Sequence, residues 1–478
     1  MEEGSKTKGS LSIVQQKLIK ELIAVIVGGA IMLIPPPVGL TVQAMITIGL
    51  LVWAIINWML APIPDFIVVI IMCCLWVILG IAPFTVAFGS FGSTTLWLVV
   101  GVLGIGTAVT KSGLLYRITL MIMKLFPPTF SGQVMSLLAS GTVVAPLIPS
   151  TTAKVAIAGP LVNSIGDALG LAPKSKGRGG LFVAMYTGFC LTGPIFVSAS
   201  FFGYIILGVM PEDIQSKFTW GYWLLSVLPW GIVMLLASFF AITRIYKPKE
   251  KVTISKEKVR EQIAELGPMK KEEKITMTIV LICIVFWILE SVLNVNSAIP
   301  ALLGLGLLIS FGVLTVQDYV MKTPWNIITF IGGIMGLATV LGQQGINTWI
   351  ADVLGPIMGS IAGNPYIFVI VLTIIVFFAR FIVADLITPL TLFPVLLTPF
   401  CIAGGISPWI AGFVVYVMNM MWVVQYQNPN FVIGFAASGG EEKIGYNQTI
   451  KACIIYVGIV IVGLLISVPY WRLLGLIQ

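Results

Sequence analysis

Apolar runs of about the length that crosses a bilayer as helix, roughly 20 residues, follow one another along almost the whole chain, separated by short polar or proline-bearing turns. The first begins after Lys17, Lys20 and Glu21 and stops at Pro35-Pro36-Pro37. With no small-residue cleavage site behind it, it reads as a retained span and not a removable signal peptide. Runs near 42–60 and 66–82 follow, divided by Ala61-Pro62-Ile63-Pro64-Asp65. A glycine-rich span starts at Thr94, and its Gly101, Gly104 and Gly106 allow a neighbouring helix to approach closely. Further spans are predicted near 221–243, 275–292, 298–316, 325–342 and 450–470.

Four stretches depart from this pattern. Two pairs of shorter apolar arms, 133–148 with 153–171 and 366–383 with 387–402, are joined at Ala145-Pro146-Leu147-Ile148-Pro149-Ser150-Thr151-Thr152-Ala153 and at Val383-Ala384-Asp385-Leu386-Ile387-Thr388-Pro389. Backbone freed by proline at membrane depth is tolerated only where protein or a wet cavity surrounds it. Lys124, Lys174, Lys176 and Arg178 flank the first pair and place both its ends at the cytoplasm. That predicts a re-entrant hairpin with Ser150-Thr151-Thr152 at its tip. The second pair has few flanking cations and is expected to open outward. Two runs are too long for a plain span, 181–209 and 408–437; they are interrupted at Thr192-Gly193-Pro194 with Ser198-Ala199-Ser200, and at Gln425 through Asn430.

Each half thus places a hairpin break before a broken helix, the pattern of a transporter with inverted repeats. The expected fold is an all-α polytopic membrane protein of about eleven transmembrane helices plus two re-entrant hairpins, with the amino terminus inside and the carboxy terminus outside. Its expected divisions are 1–41, an amino-terminal segment and first span; 42–245, a first inverted repeat; 246–274, a cytoplasmic charged linker; and 275–478, a second inverted repeat. Glu257, Glu261 and Glu265 repeat at helical spacing within the linker.

Composition agrees: 58% of residues are hydrophobic, only 10% are charged and mean hydropathy is +1.04, against roughly 25% charged in soluble domains. The net charge of +8 resides largely in loops, where it orients a membrane chain and is no sign of nucleic-acid binding. Histidine is absent, and the six cysteines lie in apolar segments without metal-ligand spacing. The Gly101–Gly106 stretch lacks the preceding strand and the Lys-Ser/Thr ending of a phosphate loop. With no nucleophile–base pair either, neither an enzyme nor a bound cofactor is expected.

The breaks carry the candidate chemistry. Helix starts there present N–H groups to an anion, and carbonyls with Ser or Thr hydroxyls suit a hard cation such as sodium. Ser150, Thr151, Thr152 and Ser200 are therefore expected to converge. Two charges stand in apolar sequence at the second break. Arg380 reads as structural, by snorkelling or pairing. Asp385 reads as functional, either the anchor of a coupling cation or a proton acceptor.

At these residues the chain resembles the divalent-anion/sodium symporters, which include bacterial dicarboxylate and citrate carriers and plastid 2-oxoglutarate/malate translocators. The likeness rests on Ile34-Pro35-Pro36-Pro37-Val38-Gly39-Leu40, on Leu96 through Leu115, on Ala145 to Ala153 and on the closing Tyr470-Trp471-Arg472-Leu473-Leu474-Gly475-Leu476. It implies a homodimer in the cell (inner) membrane, working as an elevator, with the site at two tips that each carry Ser-Asn-Thr. Here the first tip is Ser150-Thr151-Thr152, and the second falls on Ala384-Asp385-Leu386, where none of the three is kept. The resemblance implies a first sodium site at Ser150, Thr151 and Ala199 and a second cation at Asp385 and Asn428. It implies substrate contacts from Thr151, Thr152, Ser200, Asp385, Pro429 and Asn430. The expected function is secondary transport of small organic anions, di- or tricarboxylates foremost, by sodium symport or anion exchange. The alternative is an inorganic-anion or proton/cation-coupled carrier that uses Asp385.

Overall fold

Most of the apolar runs are cut to length by hydroxyl caps. Thr41, Ser93, Thr129, Ser150, Ser175 and Thr219 each precede a helix and accept a hydrogen bond from a backbone N–H of its first turn, satisfying donors that have no partner inside the helix. A computed structural model describes residues 12–248, 266–350, 352–353 and 363–478. The helical repeat expected at Glu257, Glu261 and Glu265 lies outside the described residues. Among the described residues the chain is helical with no strand, only an isolated bridge between Ile406 and Ile477. Seven described helices are long and apolar enough to cross a bilayer on length and composition alone.

The surface of these helices is that of a protein solvated by lipid. Helix Trp220–Ile245 buries Trp223, Val227 and Trp230, and exposes Leu225, Leu228, Ile232, Leu236 and Phe240 at helical spacing. Its buried face packs on Tyr446–Leu473. Glycine sets another contact. Helix Thr94–Ser112 lies against Ala298–Ser310 so closely that a Cβ on Gly101 would stand 2.7 Å from the Ala301 Cβ, and one on Gly104 would stand 2.6 Å from Leu305 Cδ1. The glycine run is a packing surface, as its sequence suggests.

Around the breaks the two halves follow one plan. In the first half a leading arm, Phe130–Val144, and a trailing arm, Thr151–Ala168, both pack on Lys176–Tyr186, the first segment of the broken helix. In the second half a leading arm, Pro365–Ile382, and a trailing arm, Ile387–Ala403, both pack on Pro408–Asn419. Each trailing arm also packs on the second segment of the other half's broken helix: Thr151–Ala168 on Pro429–Ala437, and Ile387–Ala403 on Phe201–Gly208. The breaks are therefore held together by elements exchanged between the halves.

Candidate functional site

Proline and glycine keep both broken helices open. After Tyr186 the first passes through a π-turn, Thr187–Leu191, and two single 3-10 turns before Ser200 caps the segment Phe201–Gly208. The second runs from Met420 to Asn428 before Pro429 begins Pro429–Ala437. The first tip docks onto the first broken helix through backbone: the Phe201 N–H donates to the Pro149 carbonyl at 3.3 Å, and Ser198 Oγ donates to the Pro146 carbonyl at 3.1 Å. Ser150, Thr151 and Thr152 are thus brought close to Ala199 and Ser200. Across the interface between halves, the Thr152 hydroxyl donates to Asn430 Oδ1 at 2.7 Å, and Ser200 shares a hydrogen bond with the Tyr416 phenol.

The charged groups have partners that sequence spacing does not indicate. Lys154, one turn into the first trailing arm, is fully buried at 0% exposure, and its ammonium donates to the Ala199 carbonyl at 2.8 Å. Arg380, in the last turn of the second leading arm, is also at 0% exposure. It donates to the carbonyls of Val383 and Asp385, both at 2.6 Å, to that of Ala384 at 3.2 Å, and to that of Gln427 in the second break. Gln427 Nε2 answers with a bond to the Arg380 carbonyl at 3.1 Å. Among the described residues neither cation has a carboxylate within ion-pair distance: the ion pairs there are Lys111–Asp318, Arg117–Glu273, Arg178–Asp167 and Lys322–Asp318. Carbonyl dipoles offset only part of the several kcal/mol that burying a charge costs; the Asp385 carboxylate acts electrostatically on Arg380 at the second break, whereas no ion pair among the described residues answers Lys154 at the first.

Asp385, expected at the cation and substrate site, also makes local contacts. Its carboxylate accepts from the N–H of Ile387 at 3.0 Å and of Thr388 at 2.5 Å, capping the second trailing arm, and Arg380 contacts its backbone oxygen, not its side chain. Asn428 is likewise committed to structure. Its Nδ2 donates to the Met420 carbonyl at 2.8 Å, and its Oδ1 accepts from the Asn430 N–H at 3.0 Å. Pro429 is exposed and begins the helix that Asn428 caps. Lys154 was absent from the residues singled out by sequence. The signal was there, a lysine four residues past the Ser150 cap in otherwise uncharged sequence, and an ionisable residue at that depth is a functional-site candidate by default. A cavity of about 320 Å³, lined by Lys17, Asp65 and Asn326 among others, reaches Phe201 and Ile387, beside the two breaks.

Seven apolar helices and paired breaks holding buried cations describe a membrane carrier. A family model for the sodium:sulfate symporter transmembrane region matches residues 15–477. The chain belongs to this family. As a sodium:sulfate symporter family member it is a multi-pass membrane transporter and not an enzyme. It is 28% identical over 359 residues to the putative malate transporter YflS of Bacillus subtilis (strain 168), covering 73% of this chain and 74% of that one. To dicarboxylate transporter 1, chloroplastic, of Spinacia oleracea it is 25% identical over 375 residues, covering 77% of this chain and 66% of the other. In fold it resembles Neisseria gonorrhoeae MtrF, with a TM-score of 0.58 at 15% identity over 97% of this chain and 96% of that one.

Proposed function

We propose that this family member exchanges small organic anions, dicarboxylates such as malate foremost, across the membrane, and that Lys154 and Arg380 stand where a symporter would bind coupling cations. The observation that carries this reading is the Lys154 ammonium on the Ala199 carbonyl. That carbonyl belongs to the position where the resemblance implies a sodium ligand. Arg380 does the same at the second break, filling the carbonyls of Val383, Ala384, Asp385 and Gln427. A covalently held cation cannot be released to either side, so no sodium gradient can be spent through it. An empty site keeps the desolvated Lys154 ammonium without a counter-charge, since Asp385 offsets only Arg380, and moving it through hydrocarbon is costly. Only the anion-loaded site then crosses readily, which makes transport an exchange. The names of the relatives support the choice of dicarboxylates.

The four arms and two broken helices move as one body against the remaining helices, in the elevator mode and within the homodimer that the resemblance implies. What supports joint movement is that each trailing arm packs on the other half's broken helix, so neither break can shift alone. Residues 42–245 and 275–478 are read as the two inverted repeats because they share this packing plan. The test is uptake of labelled malate into liposomes holding the purified protein. Uptake is expected only when malate or another exchangeable organic anion is loaded inside, and at the same rate in sodium and in choline buffer. Accumulation into liposomes free of internal anion, driven by a sodium gradient, would overturn the reading.

A further inference from the structure

The two breaks share a plan but offer an anion different things. Backbone N–H groups in the first turn of a helix lack partners inside it and attract negative charge. Four helices begin at the breaks: Thr151–Ala168, Phe201–Gly208, Ile387–Ala403 and Pro429–Ala437. At Phe201 the first three donors are taken, by the Pro149 carbonyl, by Ser200 Oγ and by the Ser200 carbonyl. At Pro429 the first N–H is missing, and Asn430 and Phe431 donate to Asn428. At Ile387 the first two donate to the Asp385 carboxylate, and the third residue is Pro389, which has none. Only the first trailing arm keeps open donors. Ser150 Oγ takes the N–H of Ala153 at 3.2 Å, and the N–H groups of Thr151 and Thr152 have no acceptor among the described residues. Beside them stand the Thr152 hydroxyl and the Asn430 amide, with the uncompensated Lys154 ammonium one turn further along the same helix.

We propose that Asp385 is a built-in carboxylate, which occupies at the second break the place that a cargo carboxylate takes at the first. The carrier therefore fixes its cargo by one carboxylate and accepts monocarboxylates as well as dicarboxylates. This rests on the preceding reading of the site as one for organic anions. Charge points the same way: Lys154 and Arg380 supply two positive charges, Asp385 returns one negative, Lys17 and Asp65 of the adjoining cavity count as one of each sign, and a single carboxylate balances the remainder. A second cargo carboxylate finds no open helix start at the second tip and meets the like charge of Asp385.

The test compares binding of succinate and butanoate, acids of equal carbon count, to the purified full chain. A site that hydrogen-bonded both carboxylates would reject the analogue lacking one by on the order of 10⁴-fold. Here butanoate is expected to bind within about tenfold of succinate, and a gap wider than about 100-fold overturns the proposal. Asp385→Asn then removes the charge while keeping one of the two oxygens that cap the helix start. It should tighten succinate by about tenfold, the size of a one-unit like-charge interaction, and leave butanoate unchanged. An unaltered ratio of the two affinities also overturns it. If the variant fails to fold, the wild-type ratio alone decides. Should the wild type bind neither acid, the carboxylate-carrier reading itself falls, and this one with it.

Discussion

The first break holds its cation as a lysine on the trailing arm, reaching one carbonyl of the broken helix; the second holds an arginine on the leading arm, gripping three carbonyls of its own tip and one of the broken helix. An ammonium is a compact point charge on a flexible stem, whereas a guanidinium is a rigid planar fork with five donors. The first is suited to leave the rest of its break open, and Thr151 and Thr152 there keep free N–H groups. The second ties its break shut, and the neighbouring helix start is closed as well, by Asp385. One plan has thus been specialised twice, with the recognising break in the first half and the bracing break in the second.

Removing the brace should have the largest effect. Arg380→Met leaves four carbonyls without their donor, and breaking such a buried charged network is expected to destabilise the fold by about 3–5 kcal/mol. The measurement is the unfolding midpoint in detergent. Arg380→Lys should recover less than half of the loss, because a point charge cannot reproduce the fork. If Arg380→Met unfolds where the parent does, the second break is not braced by this residue and the contrast between the two breaks disappears.

At the first break the same kind of change should act on transport more than on folding. Lys154→Met removes the ammonium beside the open N–H groups; losing one charged contact with the anion, worth about 1.5–3 kcal/mol, should lower exchange roughly 10- to 100-fold, with a smaller change in unfolding than Arg380→Met. Lys154→Ser goes further. It vacates the volume of the ammonium and adds a hydroxyl next to the Ala199 carbonyl, so sodium is expected to restore part of the exchange in the variant and to do nothing for the parent. Uptake compared in sodium and choline buffers decides it. A variant indifferent to sodium would separate the lysine from any cation role.

How much of this could be read from sequence depends on whether the signal is local. The breaks are legible because proline and hydroxyls interrupt apolar runs within a few residues, and the close packing at Gly101 and Gly104 is legible because glycine admits it. Lys154 is hidden by averaging, since one charge barely lowers the hydropathy of the run in which it sits. Asp385 is visible as a charge, yet its role depends on orientation. An aspartate closely followed by Thr388 and Pro389 is also a helix-start pattern, and the carboxylate does accept from that helix start. The Arg380 partners were beyond reach, because Gln427 lies 47 residues away and contributes a backbone oxygen, which leaves no trace in residue type.

The smallest effect sharpens the comparison most, because it replaces matched residues with opposite expectations. Thr152 is the second residue of the first trailing arm and its hydroxyl donates to Asn430 Oδ1; Thr388 is the second residue of the other, and its hydroxyl is buried without a partner among the described residues. Valine keeps the volume of threonine and removes the hydroxyl. Thr152→Val should then weaken dicarboxylate binding by about 1 kcal/mol, close to fivefold, by removing the hydrogen bond that holds the Asn430 amide at the cradle. Thr388→Val should leave affinity unchanged and folding equal or slightly better, since a buried hydroxyl without a hydrogen bond is itself unfavourable. Titrations of both variants against the same dicarboxylate, with unfolding measured alongside, test the pair. If the two lose affinity equally, the second tip contacts the cargo after all, and the division between a recognising break and a bracing break is wrong.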